Sequence, residues 1–403
     1  MMITVSQAIQ SVHKNVQSFD ATEHIPVSNA IGRTLAQDVV APVSLPSFRQ
    51  SAMDGYAVRF RESGNNNKNN TFTLIGEVKA GDAQNPSLTS GTAVRIFTGA
   101  RVPDTADAVV IQELVQRKDD HIHIEKVPVV GQNIRAIGGQ IQAGSCPLKK
   151  GHTLQPSSLG LLKSLGIDTV SVTRNPKVTI LVTGNELVKE GNPLADGQVY
   201  ESNSAVLEAV LHQRGIHEVQ IVYVEDNLEK TQKILQNAIA TSELVLISGG
   251  ISVGDYDFVG VALQNLDVRT IFYKVLQKPG KPLFFGKQND TYIFALPGNP
   301  ASTLTCYYIY VQLAFDILSG AQYQGLLRIH LPISAAFTNT FGRALFLKAR
   351  VNREGVTILD FQNSATMITF AEANALVYIP ETTTEVAQGT IVETILLPYG
   401  STQ

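Results

Sequence analysis

The sequence of 403 residues predicts a multidomain protein of the α/β and β classes. A central α/β domain with a mostly parallel sheet is expected beside a β-rich insertion domain, a helical linker domain and a C-terminal β-barrel-like domain. Two observations predict this arrangement. Residues 175–325 alternate between apolar strand-like runs and helical segments, which is typical of a parallel sheet covered by helices. Residues 45–135 and 326–403 carry short alternating β-prone runs, which indicate two β domains.

The helical linker domain is predicted over residues 1–44 together with 136–174. Thr4 or Ser6 can cap a first helix, because an apolar stripe at helical spacing follows them. A second helix is predicted over 156–166, where a glycine is placed to end it. These helices flank the β-rich segment in the chain, which is therefore predicted as an insertion.

The β-rich domain is predicted over residues 45–135. Its β-prone runs are TFTLIGEV, GTAVRIFTGA, DAVVIQELV and HIHIEKV, and Gly, Pro and Asn residues separate them. Runs of this length between turn residues are typical of a small β-rich domain.

The α/β domain is predicted over residues 175–325, and its strands are the most apolar segments of the chain. A loop and then a helical segment follow each strand, and the predicted strands are 177–182, 219–224, 243–248 and 291–296. Because strands buried on both faces are apolar throughout, this pattern favours a parallel sheet between helical layers.

Composition narrows the class of function. The net charge is −3, and 44% of the residues are hydrophobic and 17% charged, as in an ordinary soluble protein. No basic cluster favours nucleic acid, and no apolar run is long enough for a membrane span, so we expect neither partner. Cys146 and Cys306 lie far apart and the first residues do not resemble a signal peptide, which favours reduced thiols and a cytoplasmic location.

Acids and glycines follow the predicted strands of the α/β domain. Carboxylates come after three of the strands, and glycine loops come after two of them; these residues are Glu186, Asp226, Asp255, Asp257, Gly249, Gly250, Gly254 and Gly298. Ligands of open α/β sheets bind beyond the carboxyl ends of the strands. One or two carboxylates with substrate phosphate suit Mg²⁺, whereas any single acid could equally be a helix N-cap.

A rigid turn with several lysines follows the third strand. In YKVLQKPGKPLFFG, Lys274, Lys278 and Lys281 surround a Pro-Gly turn that has no carboxylate to pair with them. Such a turn suits phosphate or another oxyanion, and the alternative is a solvated hairpin. The segment LPGNPAS similarly holds glycine and asparagine at a helix start, where anions bind.

Together, these segments resemble the molybdopterin molybdenumtransferase family, which includes bacterial MoeA and the E domain of gephyrin. The motifs are PSFRQSAMDGYAV, RIFTGA, TGNEL, SGGISVGDYD, KPGKP and LPGNPAS, in the order that the family has them. The resemblance covers nearly the whole chain. It implies an enzyme of molybdenum cofactor biosynthesis that inserts molybdate into adenylylated molybdopterin and releases AMP in an Mg²⁺-dependent step.

The resemblance also implies a homodimer whose active sites are shared between subunits. Glu186, Asp226 and Asp257 would serve the metal and the substrate, while Asp54 and Thr98 would come from the partner's β domain. The residues implied for substrate or anion binding are Ser248, Gly249, Gly250, Ser252, Gly254, Lys274, Lys278, Lys281, Pro297, Gly298, Asn299, Pro300, Ser302, Lys348, Arg350 and Ser364. Contacts with the molybdopterin adenylyltransferase and with cofactor acceptors are expected as well.

The chain departs from the family pattern at three places. Gly139 and Gln140 replace two acids, Asn185 replaces an aspartate, and Lys348 replaces an arginine. The lost acids keep open a second interpretation, in which a family member binds molybdopterin as a carrier or scaffold. A third is a related enzyme that acts on another adenylylated compound. AMP release from adenylylated molybdopterin discriminates among them.

Overall fold

The computed structural model describes residues 2–60, 70–126, 128–251 and 258–398. The backbone divides into two compact units, and each is described by itself. The large unit comprises Met1–Ala36, Lys150–Gln155 and Thr169–Gln403, and the small unit comprises Gln37–Lys149 and Pro156–Asp168. A multidomain α/β fold is thereby confirmed, while the finer division into four domains stays a prediction.

The helices begin where local capping favours them. Thr4 and Gln7 form a capping box, in which Oγ1 of Thr4 accepts from the Gln7 N–H at 3.2 Å and Oε1 of Gln7 accepts from the Thr4 N–H at 2.9 Å. The helices are α1 (Val5–Asn15), α2 (Pro156–Ser164), α3 (Asn203–Gln213), α4 (Leu228–Thr241), α5 (Phe258–Asn265), α6 (Pro300–Cys306), α7 (Gln312–Leu318) and α8 (Ile368–Glu372). A π-helical segment, Tyr307–Val311, joins α6 to α7, and short 3₁₀ turns occur at Val27–Asn29 and Gln112–Leu114.

The strands of the first half of the chain are mostly short. They are β1 (Thr22–Pro26), β2 (Gln50–Ser51), β3 (Gly55–Val58), β4 (Thr71–Val78), β5 (Thr92–Ile96), β6 (Ala108–Ile111), β7 (Val115–Lys118), β8 (His121–Ile124), β9 (Ile134–Arg135) and β10 (Thr169–Thr173).

The strands of the second half build the remaining sheets. They are β11 (Val178–Thr183), β12 (Leu187–Val188), β13 (Val199–Tyr200), β14 (Val219–Val224), β15 (Leu244–Ser248), β16 (Arg269–Tyr273), β17 (Gln277–Lys278), β18 (Phe284–Gln288), β19 (Thr291–Leu296), β20 (Arg328–Pro332), β21 (Phe337–Thr338), β22 (Ala344–Val351), β23 (Val356–Ile358), β24 (Ala375–Ile379), β25 (Glu385–Val386) and β26 (Ile391–Leu396).

The central sheet of the large unit has the strand order β14-β11-β15-β19-β18-β16. Its first four strands are parallel, β18 runs antiparallel to them, and the edge strand β16 pairs antiparallel with β18 and so runs in the same direction as the first four. The inner strands β11, β15 and β19 are buried on both faces because each face supports its own core. Side chains of α1, α3, α6 and α7 pack on one face, and those of α4 and α5 pack on the other. This arrangement leaves the strand ends free to carry polar loops.

A second sheet of the large unit has the order β17-β22-β24-β26-β20 and its own apolar core. Strand β17 joins it in parallel with β22, so the start of the KPGKP turn belongs to this sheet. Closure of the sheet into a barrel stays a prediction.

The small unit contains a sheet with the order β6-β3-β5-β4-β8-β7. Its strands enclose two apolar clusters, which is consistent with the alternating runs of the sequence. Gly55 is required in β3, because a Cβ atom there would lie 1.9 Å from the Val110 carbonyl oxygen. Within the ranges that the structure describes, no helix of either unit is long and apolar enough to cross a membrane.

Candidate active site

A cavity of about 860 Å³ lies in the large unit at the carboxyl edge of the central sheet. The parallel register aligns the strand ends, with Thr183 beside Val224 and Ser248 beside Leu296. Loops that leave these ends therefore converge, as expected for an open α/β sheet. The sequence-predicted residues that line the cavity are Glu186, Asp226, Ser248, Gly249, Gly250, Lys278, Lys281, Pro297, Gly298, Asn299, Pro300, Ser302 and Ser364.

Two glycines let the loop after β15 approach its neighbours closely. Gly249 has φ +91°, and a Cβ atom there would lie 2.5 Å from the Thr183 carbonyl oxygen. Gly250 has φ +63°, and a Cβ atom there would lie 2.6 Å from the Val259 side chain and 2.8 Å from that of Thr183. Both residues thus need the left-handed backbone and the absence of a side chain.

Asp226, the acid after β14, is held by residues at the end of β11. Oδ1 of Asp226 accepts from the Thr183 hydroxyl at 2.6 Å, and Oδ2 accepts from the Asn185 N–H at 3.2 Å. Asn185 reciprocates, because its Oδ1 accepts from the Asp226 N–H at 3.0 Å. This acceptor role needs only a side-chain oxygen, so Asn185 fulfils it without adding another negative charge beside Asp226.

Glu186 lies in the same loop and folds back over Gly184. A Cβ atom at Gly184, where φ is +148°, would lie 2.9 Å and 3.0 Å from the two carboxylate oxygens of Glu186. The glycine therefore permits the position of this carboxylate. Glu186 is exposed to the cavity, whereas Asp226 is half-buried.

The oxygen ligands at this edge suit a hard divalent cation. Mg²⁺ is usually held by one or two protein carboxylates together with substrate phosphate and water, and Glu186 and Asp226 are of that type. Among the described residues, no three His, Cys, Asp or Glu side chains are grouped as metal ligands. Asp257, the third acid predicted for the metal, lies outside the described residues, as do Asp255, Ser252 and Gly254.

Asn203 fixes two of the loops relative to each other. Its side-chain Nδ2 at the start of α3 donates to the Ser248 hydroxyl and to the Gly298 carbonyl oxygen, both at 2.8 Å. Sequence reasoning missed this residue and its neighbours Glu201 and Ser202, which also line the cavity. The polar cluster YESNS before an apolar helix was the available signal.

Cations of the KPGKP turn face the cavity together with an arginine that sequence reasoning missed. Lys278, Lys281 and Arg343 all contribute to the lining, and none forms an ion pair with a carboxylate of the described chain. Nζ of Lys278 lies 3.3 Å from the centroid of the Phe341 ring. Burial lowers the pKa of Lys278, and the nearby Arg343 charge lowers it further. Two neighbouring positive charges create an electrostatic preference for an anion.

Lys274 stands apart from this cluster. It has φ +69°, its Nζ lies 4.7 Å from the centroid of the Tyr273 ring, and its side chain is not part of the cavity lining.

The loop that carries Ser364 is attached to the start of α6. The Ser364 hydroxyl accepts from Nδ2 of Asn299 at 2.8 Å, and its carbonyl oxygen accepts from the Ser302 N–H at 3.2 Å. This N–H belongs to the first helical turn, which has no partner within the helix, so the loop completes it. Ser364 thereby becomes part of the cavity wall.

Lys348 supports that loop from beneath rather than lining the cavity. Its residue is 4% exposed, and its Nζ donates to the carbonyl oxygens of Phe361, Asn363 and Thr366 at 3.0, 3.2 and 3.2 Å. All three ammonium protons are thus used, and burial lowers the Lys348 pKa. Arg350 is also outside the lining; it is exposed, and its Nη2 donates to the Glu372 carbonyl oxygen at 3.3 Å.

Asp54 and Thr98 are brought together in the small unit. Oδ1 of Asp54 accepts from both the N–H and the hydroxyl of Thr98, each at 2.7 Å. These two hydrogen bonds, the backbone one first, lower the Asp54 pKa against a small opposing effect of burial, and the Arg95 charge lowers it further. Gly139 and Gln140 lie in an exposed loop of the same unit, where the Gln140 N–H donates to the Leu45 carbonyl oxygen at 2.9 Å.

Known families match three segments of the chain. Residues 3–166 match the "MoeA N-terminal region (domain I and II)", residues 179–315 the "Probable molybdopterin binding domain", and residues 330–397 the "MoeA C-terminal region (domain IV)". These segments contain the glycine loops, the acids and the cationic turn described above.

Relatives are similar over nearly their whole length. A molybdopterin molybdenumtransferase of Haemophilus influenzae is 34% identical over 97% of this chain and 98% of its own. Molybdopterin molybdenumtransferase 2 of Mycobacterium tuberculosis is 34% identical over 91% of this chain and 93% of its own. A crystal structure of the molybdopterin biosynthesis MoeA protein of Pyrococcus horikoshii superposes with a TM-score of 0.85 at 28% identity, covering 98% of this chain and 100% of that one. The chain therefore belongs to the molybdopterin molybdenumtransferase family.

Proposed function

We propose that this protein is an enzyme of molybdenum cofactor biosynthesis that transfers molybdate to adenylylated molybdopterin and releases AMP. The observation that carries the proposal is the division of the cavity lining into an acidic part and a cationic part. Glu186 and Asp226 follow the parallel strands, and Lys278, Lys281 and Arg343 lie on the segments around the KPGKP turn. A substrate with phosphates and a second, oxyanionic substrate require both parts.

The acidic part would hold Mg²⁺. Glu186 and Asp226 would be its ligands in the described chain, and we assign Asp257 to the same ion. When bound, the ion would neutralise phosphate charge as the AMP leaves. The residues of the chain orient this region, because the Thr183 hydroxyl and the Asn185 N–H fix the Asp226 carboxylate.

The cationic part would bind molybdate or phosphate. Lysine and arginine donate charge-assisted hydrogen bonds, which are stronger than neutral ones, and the three cations have no competing carboxylate in the described chain. The Ser364 hydroxyl and the N-terminal turn of α6 add neutral donors on the adjoining wall. Lys348 would act indirectly by holding the Ser364 loop.

The family resemblance further supports a homodimer in which Asp54 and Thr98 of one subunit serve the cavity of its partner. The test mixes Asp54→Asn subunits with Glu186→Gln subunits, each expected to be inactive alone. Random mixing makes about half of the dimers heterodimeric, each with one intact site, so roughly a quarter of the wild-type activity should return. No recovery after confirmed subunit exchange contradicts the shared site.

Incubation of the purified protein with adenylylated molybdopterin, molybdate and Mg²⁺ tests the activity itself. The expected result is AMP release together with a molybdenum-loaded pterin that reconstitutes an apo molybdoenzyme. Tight pterin binding without AMP release would instead support the carrier function. Contact with the adenylyltransferase and with cofactor acceptors in the cytoplasm is part of the same proposal.

A further inference from the structure

The backbone of the KPGKP turn is held from beneath by one buried amide. Gln277 is fully buried, and its Nε2 donates to the carbonyl oxygens of Pro279 at 3.1 Å and Gly280 at 3.2 Å. Two successive carbonyl groups of the turn therefore point into the protein. Gly280 has φ +87°, and a Cβ atom there would lie 2.4 Å from Sγ of Cys306, so only glycine fits this approach.

The two N–H groups of the same peptide units must point the other way. The C=O and N–H of a trans peptide are antiparallel, and the cis bond of this turn lies one position earlier, at Lys278-Pro279. The N–H groups of Gly280 and Lys281 consequently face away from Gln277. Both residues line the cavity, and neither N–H donates to another group in the described chain. Successive N–H groups of this kind form a concave anion site.

The orientation of the Gln277 amide is itself determined by a neighbour. The Tyr310 hydroxyl donates to Oε1 of Gln277, so the NH₂ group must face the turn carbonyls. Tyr310 is fully buried and belongs to the π-helical segment between α6 and α7. Short π-helical segments often occur at functional sites because they redirect side chains that a regular helix would place elsewhere.

We propose that the Gly280 and Lys281 N–H groups form a backbone binding site for a tetrahedral oxyanion, and that Gln277 and Tyr310 keep this site in its binding conformation. Lys278, Lys281 and Arg343 surround it with positive charge. The identity of the anion as molybdate or substrate phosphate rests on the proposed function, whereas the binding site rests on the geometry of the turn. Gln277 and Tyr310 are positioning residues.

Selective labelling can observe this site directly. Protein labelled with ¹³C′-glycine and ¹⁵N-lysine selects lysine amides that follow a glycine, and the sequence contains two of them, Lys281 and Lys287. Lys287 lies in β18, where it is paired with Tyr292 of β19, and it is not part of the cavity lining, so its amide is an internal reference. Titration with sodium molybdate or with inorganic phosphate should shift the Lys281 signal and leave the Lys287 signal in place.

Two variants test the positioning residues. Tyr310→Phe removes the hydroxyl that orients the amide, and Gln277→Met removes the donors to the turn while keeping the side-chain length. Because hydrogen bonds to a charged group contribute about 1.5–3 kcal/mol, either change should weaken the molybdate affinity measured from the Lys281 shift roughly ten- to hundredfold. Tyr307→Phe is the matched control, since it removes a buried hydroxyl from the same π-helical segment. That hydroxyl donates to the Val210 carbonyl oxygen at 3.4 Å rather than to Gln277.

The outcomes separate this proposal from the proposed function. A Lys281 shift with both oxyanions, lost in Tyr310→Phe but kept in Tyr307→Phe, supports the backbone site, and a preference for one oxyanion identifies the source. A silent Lys281 signal with both oxyanions overturns it, as does unchanged affinity in folded Gln277→Met and Tyr310→Phe. If Lys281 responds but the wild type releases no AMP from adenylylated molybdopterin, the site stands and the proposed function fails. If the wild type releases AMP but the Lys281 signal shifts with neither oxyanion, the proposed function stands and the backbone site fails.

Discussion

Replacing Lys348 by methionine tests whether this buried lysine supports the Ser364 loop or binds the substrate itself. Methionine keeps most of the apolar stem but removes the ammonium group. The carbonyl oxygens of Phe361, Asn363 and Thr366 then lose their shared donor. The hydrogen bonds of Ser364 to Asn299 and Ser302 remain, so the loop should stay folded most of the time but open more often.

The magnitude follows from the hydrogen bonds and the burial. Three bonds from a charged donor contribute about 5 kcal/mol or more in total. Burial of the ammonium group offsets several kcal/mol of this, and the exposed side of the loop can be rehydrated. A net loss of about 2–4 kcal/mol in the free energy of loop opening is therefore expected, which raises the open fraction roughly 30- to 1,000-fold.

Hydrogen exchange at the Ser302 amide measures this opening. Its N–H donates to the Ser364 carbonyl oxygen and has no partner within α6, so its protection reports the closed loop. Arg350→Met is the matched control, because it removes a surface cation two residues away on the same strand and should leave the protection unchanged. The reasoning is refuted if Lys348→Met keeps full protection of Ser302 while its molybdate affinity falls as far as that of Lys278→Gln. Lys348 would then be a direct ligand.

Three further perturbations probe the electrostatics and the backbone of the site. Arg343→Met should raise the Lys278 pKa, because it removes the neighbouring charge that lowers it. Oxyanion affinity requires protonated Lys278, so it should be weaker in the variant near neutral pH but persist to higher pH, as followed by titration calorimetry across a pH series; an unshifted pH profile contradicts the pairing. Thr98→Val should raise the Asp54 pKa toward its ordinary value, since the hydroxyl donor is lost and only the N–H donor remains. A carboxyl NMR titration measures this, and equal values in both proteins would show that the backbone donor suffices. Gly184→Ala should displace the carboxylate two residues later and weaken the activation of AMP release by Mg²⁺, and it should also lower the unfolding midpoint, because φ is +148° at this position. Normal Mg²⁺ activation of the folded variant would exclude that carboxylate as a ligand.

Much of the fold and part of the site could be predicted because their determinants are local. The central strands are apolar along their whole length, and this pattern identifies a parallel sheet without reference to other segments. Gly249 follows such a strand and Asp226 follows the edge strand of the same sheet, and parallel strand ends must meet at one edge. The capping box of α1 is likewise written in four consecutive residues.

Other site residues could not be predicted because their roles depend on contacts between distant segments. Arg343 precedes a strand of another sheet, and nothing in its surroundings in the chain indicates that it lies beside Lys278. Asn203 bridges loops 45 and 95 residues away. Tertiary packing alone brings these groups together.

The lysines show most clearly which properties follow from the sequence and which follow from the tertiary structure. Lys274, Lys278 and Lys281 surround a turn with no local carboxylate, and this pattern predicted an anion site, whereas Lys348 was suggested by the family resemblance. Only the tertiary structure separated them: Lys278 faces the cavity, Lys274 lies against a tyrosine ring, and Lys348 is buried on three loop carbonyls. The physical reason is that residue type sets the charge of a side chain, whereas its direction depends on which distant donors, acceptors and apolar surfaces the folded backbone places within its reach.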